Sequence, residues 1–402
     1  MRVLVLVAVA GLAWAQDDAA MKALDEGRFD AAVELLTKAV AANPTDVGSH
    51  FNLALAYTLQ GKDAQAIPEY RKVLELEPDV YEAHINLGQV LLRSKEAADA
   101  LPHLKKAHQQ KPREFRPAYY LAESLAEIGE FADALPVYAE AAAIDPKAAP
   151  VELGWGRALA RLNRREEAEP HYRKASTLDL ELKSYLLELG SMYEEKGDLP
   201  AALKVYREFP DNPAATERVG LLSLKIGQNT DAIAALETVV KSSPTTGNRF
   251  ALAQAYVKQN SLAQAEPLAA ALTKEDPENF DLRMFYARIL RDLRKPSEAA
   301  QQFQQAARIQ PATAIAWSEL AGQWIMAEQY PQALAALDKV KALGAETPGH
   351  MFFRATTLDR LTLRKEALEY YQRFLEASRD NPDQEFQARQ RARMLERDLG
   401  KR

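Results

Sequence analysis

His50–Pro78 reads HFNLALAYTLQGKDAQAIPEYRKVLELEP. In its first half Leu53, Ala54, Tyr57 and Leu59 recur at helical spacing until Gly61 interrupts them. In its second half Ala66, Ile67, Tyr70, Val73 and Leu74 form one apolar stripe that Pro78 ends. The spacing predicts two helices joined by a tight turn, a hairpin of about 34 residues with its connector. Such a hairpin cannot cover its own apolar face, so further copies must stack on both sides of it.

The copies are present. Stepping from Ala66 by 34 residues in either direction meets Ala32, Ala100, Ala134, Ala168 and Ala202. The interval then becomes 30 (Ala232) and 33 (Ala265), and returns to 34 for Ala299, Ala333 and Ala367, which makes eleven units. Twelve residues earlier in each unit stands a glycine or alanine: Ala20, Ala54, Gly88, Ala122, Gly156, Gly190, Gly220, Ala253, Ala287, Ala321, Ala355. Four residues after the alanine comes a bulky side chain, such as Leu36, Tyr70, Leu104, Tyr138, Tyr172 or Leu236, with Ala269 the one departure. Small residues mark where helices approach closely, and bulky ones fill the space left over; overpacking such a place costs roughly 1–3 kcal/mol. Ala134→Arg is therefore expected to destabilise its unit strongly. Pro44, Pro78, Pro112, Pro146, Pro244, Pro277 and Pro311 end second helices, and Gly27, Gly61, Gly129, Gly197 and Gly227 turn the corner inside hairpins.

This pattern resembles the tetratricopeptide repeat over about residues 19–377, with good copies at 122–138 and 190–206. The resemblance implies an all-α fold, a right-handed superhelical solenoid of antiparallel hairpins. Two departures stand out. The sixth unit is four residues short at Phe209-Pro-Asp-Asn-Pro213, which predicts a changed packing angle or a mild hinge between repeats 1–6 (16–213) and repeats 7–11 (214–382). The eleventh unit lacks its closing proline and is followed by a segment, 383–402, expected to cap the array as one helix with Phe386, Met394 and Leu395 inward and the arginines outward.

Net charge is −6 over 402 residues with acids and bases interspersed, so no basic face for nucleic acid is expected. The absence of cysteine excludes disulfides, thiolate metal sites and a cysteine nucleophile. Met1-Arg2, the apolar run Val3–Leu12 and Ala13-Trp14-Ala15 read as a signal peptide, 1–15, cleaved before Gln16. The run is too short for a bilayer, which needs about 20 residues, and no other stretch is apolar enough. An exported, periplasmic or secreted protein is expected.

Catalytic motifs are missing: Gly154-Trp155-Gly156 is no phosphate loop, and there is no Gly-x-Ser-x-Gly or His-Glu-x-x-His. His50 and His84 share one column and are read as packing residues rather than metal ligands; His103 and His171 share another on the second helix, two repeats apart and too far to coordinate one ion. Neither a cofactor nor a metal is expected.

The resemblance further implies that first helices line a concave groove which receives a protein or peptide. Candidate groove residues are Phe51, Asn52, Leu55, Ile85, Asn86, Gln89, Arg116, Tyr119, Tyr120, Glu123 and Arg157, with the groove more apolar in its first half. Some family members clamp a peptide's C-terminal carboxylate with asparagines and basic residues. Asn52, Asn86 and Arg116 stand at such places, but Gly48, Glu82 and Tyr120 replace the remaining basic positions. The expected function is a non-enzymatic exported scaffold, serving envelope, secretion or polysaccharide assembly; the alternative is a small-ligand or sugar binder, or an enzyme accessory, using the inside of the superhelix. Self-association through the ends of the array is a further expectation.

Overall fold

The computed structural model describes residues 18–400; the signal-peptide reading of 1–15 falls outside them. Among the described residues the chain forms twenty-three α-helices and one 3₁₀ turn with no strand. No helix among them is long and apolar enough to cross a membrane. The architecture is a tandem array of antiparallel helix hairpins. Two compact units are distinguished, one up to Val205 and one from Tyr206 onward.

The His50–Pro78 unit shows how the sequence builds a hairpin. Asp46 caps the helix Val47–Leu59, its side chain accepting from the Ser49 N–H at 2.8 Å. The helix ends as Gly61 enters the left-handed region (φ 70°), with Gly61 N–H donating to Thr58 O and Lys62 N–H to Tyr57 O. These two bonds satisfy carbonyls that the helix end would otherwise leave unpaired. Asp63–Leu76 then runs back, and Pro78 follows two residues after its last helical residue. The left-handed turn recurs in all eleven repeats, but glycine holds it in only five. Lys95, Asn163, Asn260, Arg294, Glu328 and Thr362 adopt φ of 59–63° at the other six. Proline does not always stop a helix here: Pro68, Pro102, Pro136, Pro170 and Pro267 lie inside second helices that continue past them.

The column alanines, from Ala32 to Ala367, are all fully buried. The bulky column fills the space beside the small one. A Cβ on Gly220 would stand 2.7 Å from Leu236 Cγ, one on Gly156 would stand 3.0 Å from Tyr172 Cδ2, and one on Gly88 would run into Leu104. Second helices pack against their own first helices, as 63–76 does on 47–59, and, within a unit, against the first helix of the next repeat, as 63–76 does on 81–93. First helices of neighbouring repeats also touch: 81–93 meets 115–127, which meets 149–161; in the second unit 213–225 meets 246–258 and 314–326 meets 348–360. First helices therefore form the inner side of each stack.

A polar device beneath the stack was not legible in the sequence. In several repeats the fourth residue of the first helix donates to the carbonyl of a proline six positions back. His50 Nε2 reaches Pro44 O at 3.1 Å, His84 Nε2 reaches Pro78 O at 2.9 Å, Arg283 Nε reaches Pro277 O at 3.1 Å and Trp317 Nε1 reaches Pro311 O at 2.9 Å. The bond satisfies a carbonyl at the bend.

One connector departs from the pattern and one local expectation is corrected. At the place where the repeat pattern calls for a closing proline the fifth repeat has Leu180, and the connector becomes a 3₁₀ turn, Leu180–Tyr185, before the helix Leu186–Lys196. Its start is held by the Asp179 side chain accepting from Glu181 N–H at 2.9 Å. The last helix, Pro382–Gly400, buries Ala388, Ala392 and Leu395, whereas Phe386 is 64% exposed and Met394 also faces solvent. Phe386 and Leu395 are nine residues apart, half a turn out of phase at about 100° per residue, so one helix cannot turn both inward. Small residues at 388 and 392 let this helix approach Tyr371 and Phe374. Arg391 is not a simple solvated arginine: its Nη2 donates to Asp359 Oδ1 at 2.9 Å and ties the capping helix to repeat 11.

Candidate partner-binding face

The first-helix face of the first unit is largely closed. Phe51 and Ile85 are each only 2% exposed, and Leu55 and Asn86 are buried too. Phe51 stands edge-on to Tyr70 with ring centroids 5.8 Å apart, and Leu55 and Ile85 belong to the same core. These four are thus structural residues, and the reading of an apolar groove over the first repeats is corrected. The reason is that the close approach of successive first helices buries this column between them.

The remaining candidates form a polar and aromatic network. Asn52, Gln89, Arg116, Tyr119, Tyr120 and Glu123 are half-buried, and Arg157 is exposed. Arg116 Nη2 donates to Gln89 Oε1 at 2.9 Å and reaches Asn86 Oδ1 at 3.4 Å. Asn86, read for a carboxylate clamp, is buried, and its Oδ1 accepts from the arginine read beside it. Tyr119 stacks on Phe115 (5.7 Å, 7° between planes) and leans on Tyr120 at 5.2 Å. Glu123 accepts from Tyr138 Oη at 2.6 Å, and burial pushes its carboxyl above the usual carboxylate range against that bond. Gly154 makes this possible, since a Cβ there would lie 2.6 Å from Tyr138 Oη and 2.7 Å from Glu123 Oε1. Arg157 Nε donates to Glu188 Oε2 at 3.1 Å, Tyr172 Oη donates to the same oxygen at 3.0 Å, and the guanidinium lies over the Tyr185 ring at 4.4 Å. The bond to Glu188 is the main cause raising Arg157 above its ordinary range.

The same columns read differently near the other end of the chain. The column of Arg116 reaches Ile315, 48% exposed; that of Tyr120 reaches Phe353, 40% exposed; and Met326, also on the Ala314–Met326 helix, is 71% exposed. The column of Glu123 and Arg157 reaches Gly322, beside whose Cβ position nothing lies within 4 Å. Arg288 and Arg360 are exposed on the same helical face, and neither meets a carboxylate among the described residues. Arg291 by contrast is held to Glu319 at 3.0 Å, and Ser318 Oγ to His350 Nε2 at 2.6 Å. The sequence reading places the groove on the column of Phe51 and Phe352, one residue before that of Asn52 and Phe353. Asn52 beside Phe51 carries the usable signal: of two adjacent positions the polar one lies toward the surface and the apolar one in the core.

The histidines find protein partners. His50 Nδ1 lies 2.5 Å from Glu69 Oε2, His171 Nδ1 lies 2.7 Å from Glu152 Oε2, and His84 Nδ1 lies 3.1 Å from His103 Nδ1. Because His84 donates through Nε2, its Nδ1 accepts from His103. No group of three metal-ligating side chains converges among the described residues.

Fold and face together define a helical-repeat scaffold for protein interaction. The tetratricopeptide repeat profile matches residues 18–76, 60–114, 153–216 and 250–314, together more than half of the chain. The chain belongs to the tetratricopeptide repeat family, whose members bind proteins or peptides. No curated protein matches. Similar solved structures include MamA MSR-1 C2 (24% identical, covering 41% of this chain and 94% of that one, TM-score 0.39). MamA AMB-1 P212121 is 26% identical (40% and 96%, TM-score 0.38). MamA 41-end from Desulfovibrio magneticus RS-1 is 22% identical (41% and 93%, TM-score 0.39).

Proposed function

We propose that this protein is an exported, non-enzymatic scaffold that binds a protein or peptide along its first helices, with the principal contact on repeats 10 and 11. The observation that carries this reading is the exposure of Ile315, Met326 and Phe353 around the open space at Gly322. Large apolar side chains left in water on an inner helical face favour a partner that covers them. Arg288 and Arg360 at its margins favour a partner segment that mixes apolar with acidic residues.

Two arrangements support a binding rather than a catalytic role. Glu123 is held by Tyr138, and the exposed Arg157 is paired with Glu188. Export rests on the composition of residues 1–15 and on the absence of cysteine. A role in envelope, secretion or polysaccharide assembly is the setting such a scaffold fits.

The test is crosslinked capture from a cell-envelope fraction with the wild-type chain and with Ile315→Asp and Phe353→Asp. Loss of one specific partner, with helicity and melting unchanged, is expected; undiminished recovery with both variants overturns the site. N-terminal sequencing of the protein from fractionated cells should begin at Gln16. An intact Met1 on cytoplasmic protein overturns export.

A further inference from the structure

On the outer side of the second unit, between the helices Leu262–Glu275, Phe280–Asp292 and Pro296–Ile309, lies a pocket of about 450 Å³. Its walls are Ala270, Thr273, Lys274, Pro277, Arg283, Tyr286 and Gln302. Two of these side chains are cationic and none is acidic. That volume falls within the range of small-molecule sites, about 300–1,000 Å³.

Arg283 is held by neutral groups. Its Nε donates to Pro277 O at 3.1 Å and its Nη1 to Gln302 Oε1 at 2.8 Å. Both bonds fix the plane of the guanidinium without neutralising it, and Nη2 remains for a ligand. Among the described residues neither Arg283 nor Lys274 meets a carboxylate. Of the acids that follow Lys274 directly in sequence, Glu275 takes both terminal nitrogens of Arg249 at 2.6 Å and Asp276 accepts from Asn279 at 2.9 Å. Equivalent places in other repeats are closed. His50 faces Glu69 where Arg283 faces Gln302, and Glu152 is capped by both His171 and Lys174. A half-buried, preoriented guanidinium beside a second cation, with no counter-ion, is the donor set for a bidentate oxyanion.

We infer that this pocket binds a small organic oxyanion, a carboxylate or a phosphate ester, with Arg283 and Lys274 on the charged group and a short apolar body against Tyr286, Ala270 and Pro277. The site lies outside the first-helix face and does not depend on partner binding there.

Calorimetric titration of the purified chain at low ionic strength with phenyl phosphate, phenylacetate and the neutral phenylacetamide tests it. One saturable site per chain is expected for at least one of the two anions and none for the amide; the tighter anion identifies the headgroup. Arg283→Gln should weaken binding at least tenfold and Lys274→Gln several-fold. Arg283→Lys should retain part of the affinity, which separates loss of charge from loss of fold, and Lys241→Gln should change nothing. Absence of saturable binding by both anions at millimolar concentration overturns the site, as does equal binding of the amide or indifference to Arg283→Gln in a protein of unchanged helicity.

Discussion

The first-helix face of repeats 2–6 and that of repeats 10 and 11 use the same columns of the same repeat and reach opposite surfaces. In the first, Arg116, Glu123 and Arg157 spend their hydrogen bonds on Gln89, Tyr138 and Glu188, and the apolar column beside them is buried. In the second, Ile315, Met326 and Phe353 stand in solvent. Two glycines condense the contrast. Gly154 is small because Tyr138 and Glu123 occupy the space beside it, whereas the space beside Gly322 is empty. A repeat can thus keep its fold while its inner surface changes from self-satisfied to receptive. Exposure, rather than hydrophobicity of the column, separates the two.

The largest effect should come from placing a charge in the two faces. Phe51→Asp is expected to cost more than about 4 kcal/mol, because a carboxylate replaces a ring in the core of the first unit. Phe353→Asp should stay within about 0.5 kcal/mol, as surface substitutions do. Urea unfolding followed by circular dichroism measures both, and equal losses would erase the contrast.

The glycines make a finer test. Gly154→Ala should cost roughly 1–3 kcal/mol by displacing the Tyr138–Glu123 bond. Gly322→Ala should stabilise by roughly 0.5–1 kcal/mol, since alanine favours the helix and meets no neighbour. A loss at Gly322 would mean that its surroundings are filled.

Acid should act on the first unit through His84 and His103. Burial, then the adjacent His84, lowers His103 to about 4, and burial lowers His84 as well. Lys106 and Asp79 face His84, and Arg71 and Asp99 face His103. The unfolded chain binds protons near the ordinary value of about 6.5, so it holds more protons than the fold between these values. Stability is therefore complete above about pH 6.5 and falls as the pH drops toward 4. The fall is on the order of 1 kcal/mol once solvent screening of this partly exposed ring is discounted. His103→Val, which matches Val137 of the same column, should reduce the slope. The corresponding pair of the second unit, Arg283 with Gln302, contains no histidine.

The smallest effect concerns the turns. The second unit puts glycine at only one of its five left-handed hairpin turns, Gly227, and Thr362 carries a β-branched side chain there at φ 61°. Thr362→Gly should gain about 0.5–1 kcal/mol, the relief of strain exceeding the added freedom of the unfolded chain. Differential scanning calorimetry would register it as a small rise in melting temperature, and a drop would show that the threonine is not strained.

Much of the fold was legible in residue order. The alanines from Ala32 to Ala367 and the small–bulky pairs such as Gly220 with Leu236 are local, repeated statements about how closely two helices approach. Repetition in phase made each copy support the others. The site was less legible, because adjacent positions on a helix differ by about 100°. Phe51 and Asn52 are therefore one residue apart in sequence, yet one is core and the other lies on the inner surface. Phase errors of this kind also reversed Phe386, which no neighbouring copy could correct because the capping helix occurs once.

What residue order determined by itself was the hairpin, its period, its turns and its count, because these follow from backbone propensity and side-chain volume within about 34 residues. Only the tertiary structure decided where charge and apolar surface come to rest. Arg354 is the clearest instance. It stands in the column of Leu53, Leu87, Leu121, Leu252 and Leu320 and is buried like them. Its charge is accommodated because Asp338 lies 2.5 Å from Nη1, Glu346 lies 3.6 Å from Nε, and the Tyr370 ring lies 5.1 Å beneath the guanidinium. Those partners come from two other helices and a connector, and burial of a charge depends on what surrounds it in space rather than on its place in a repeat.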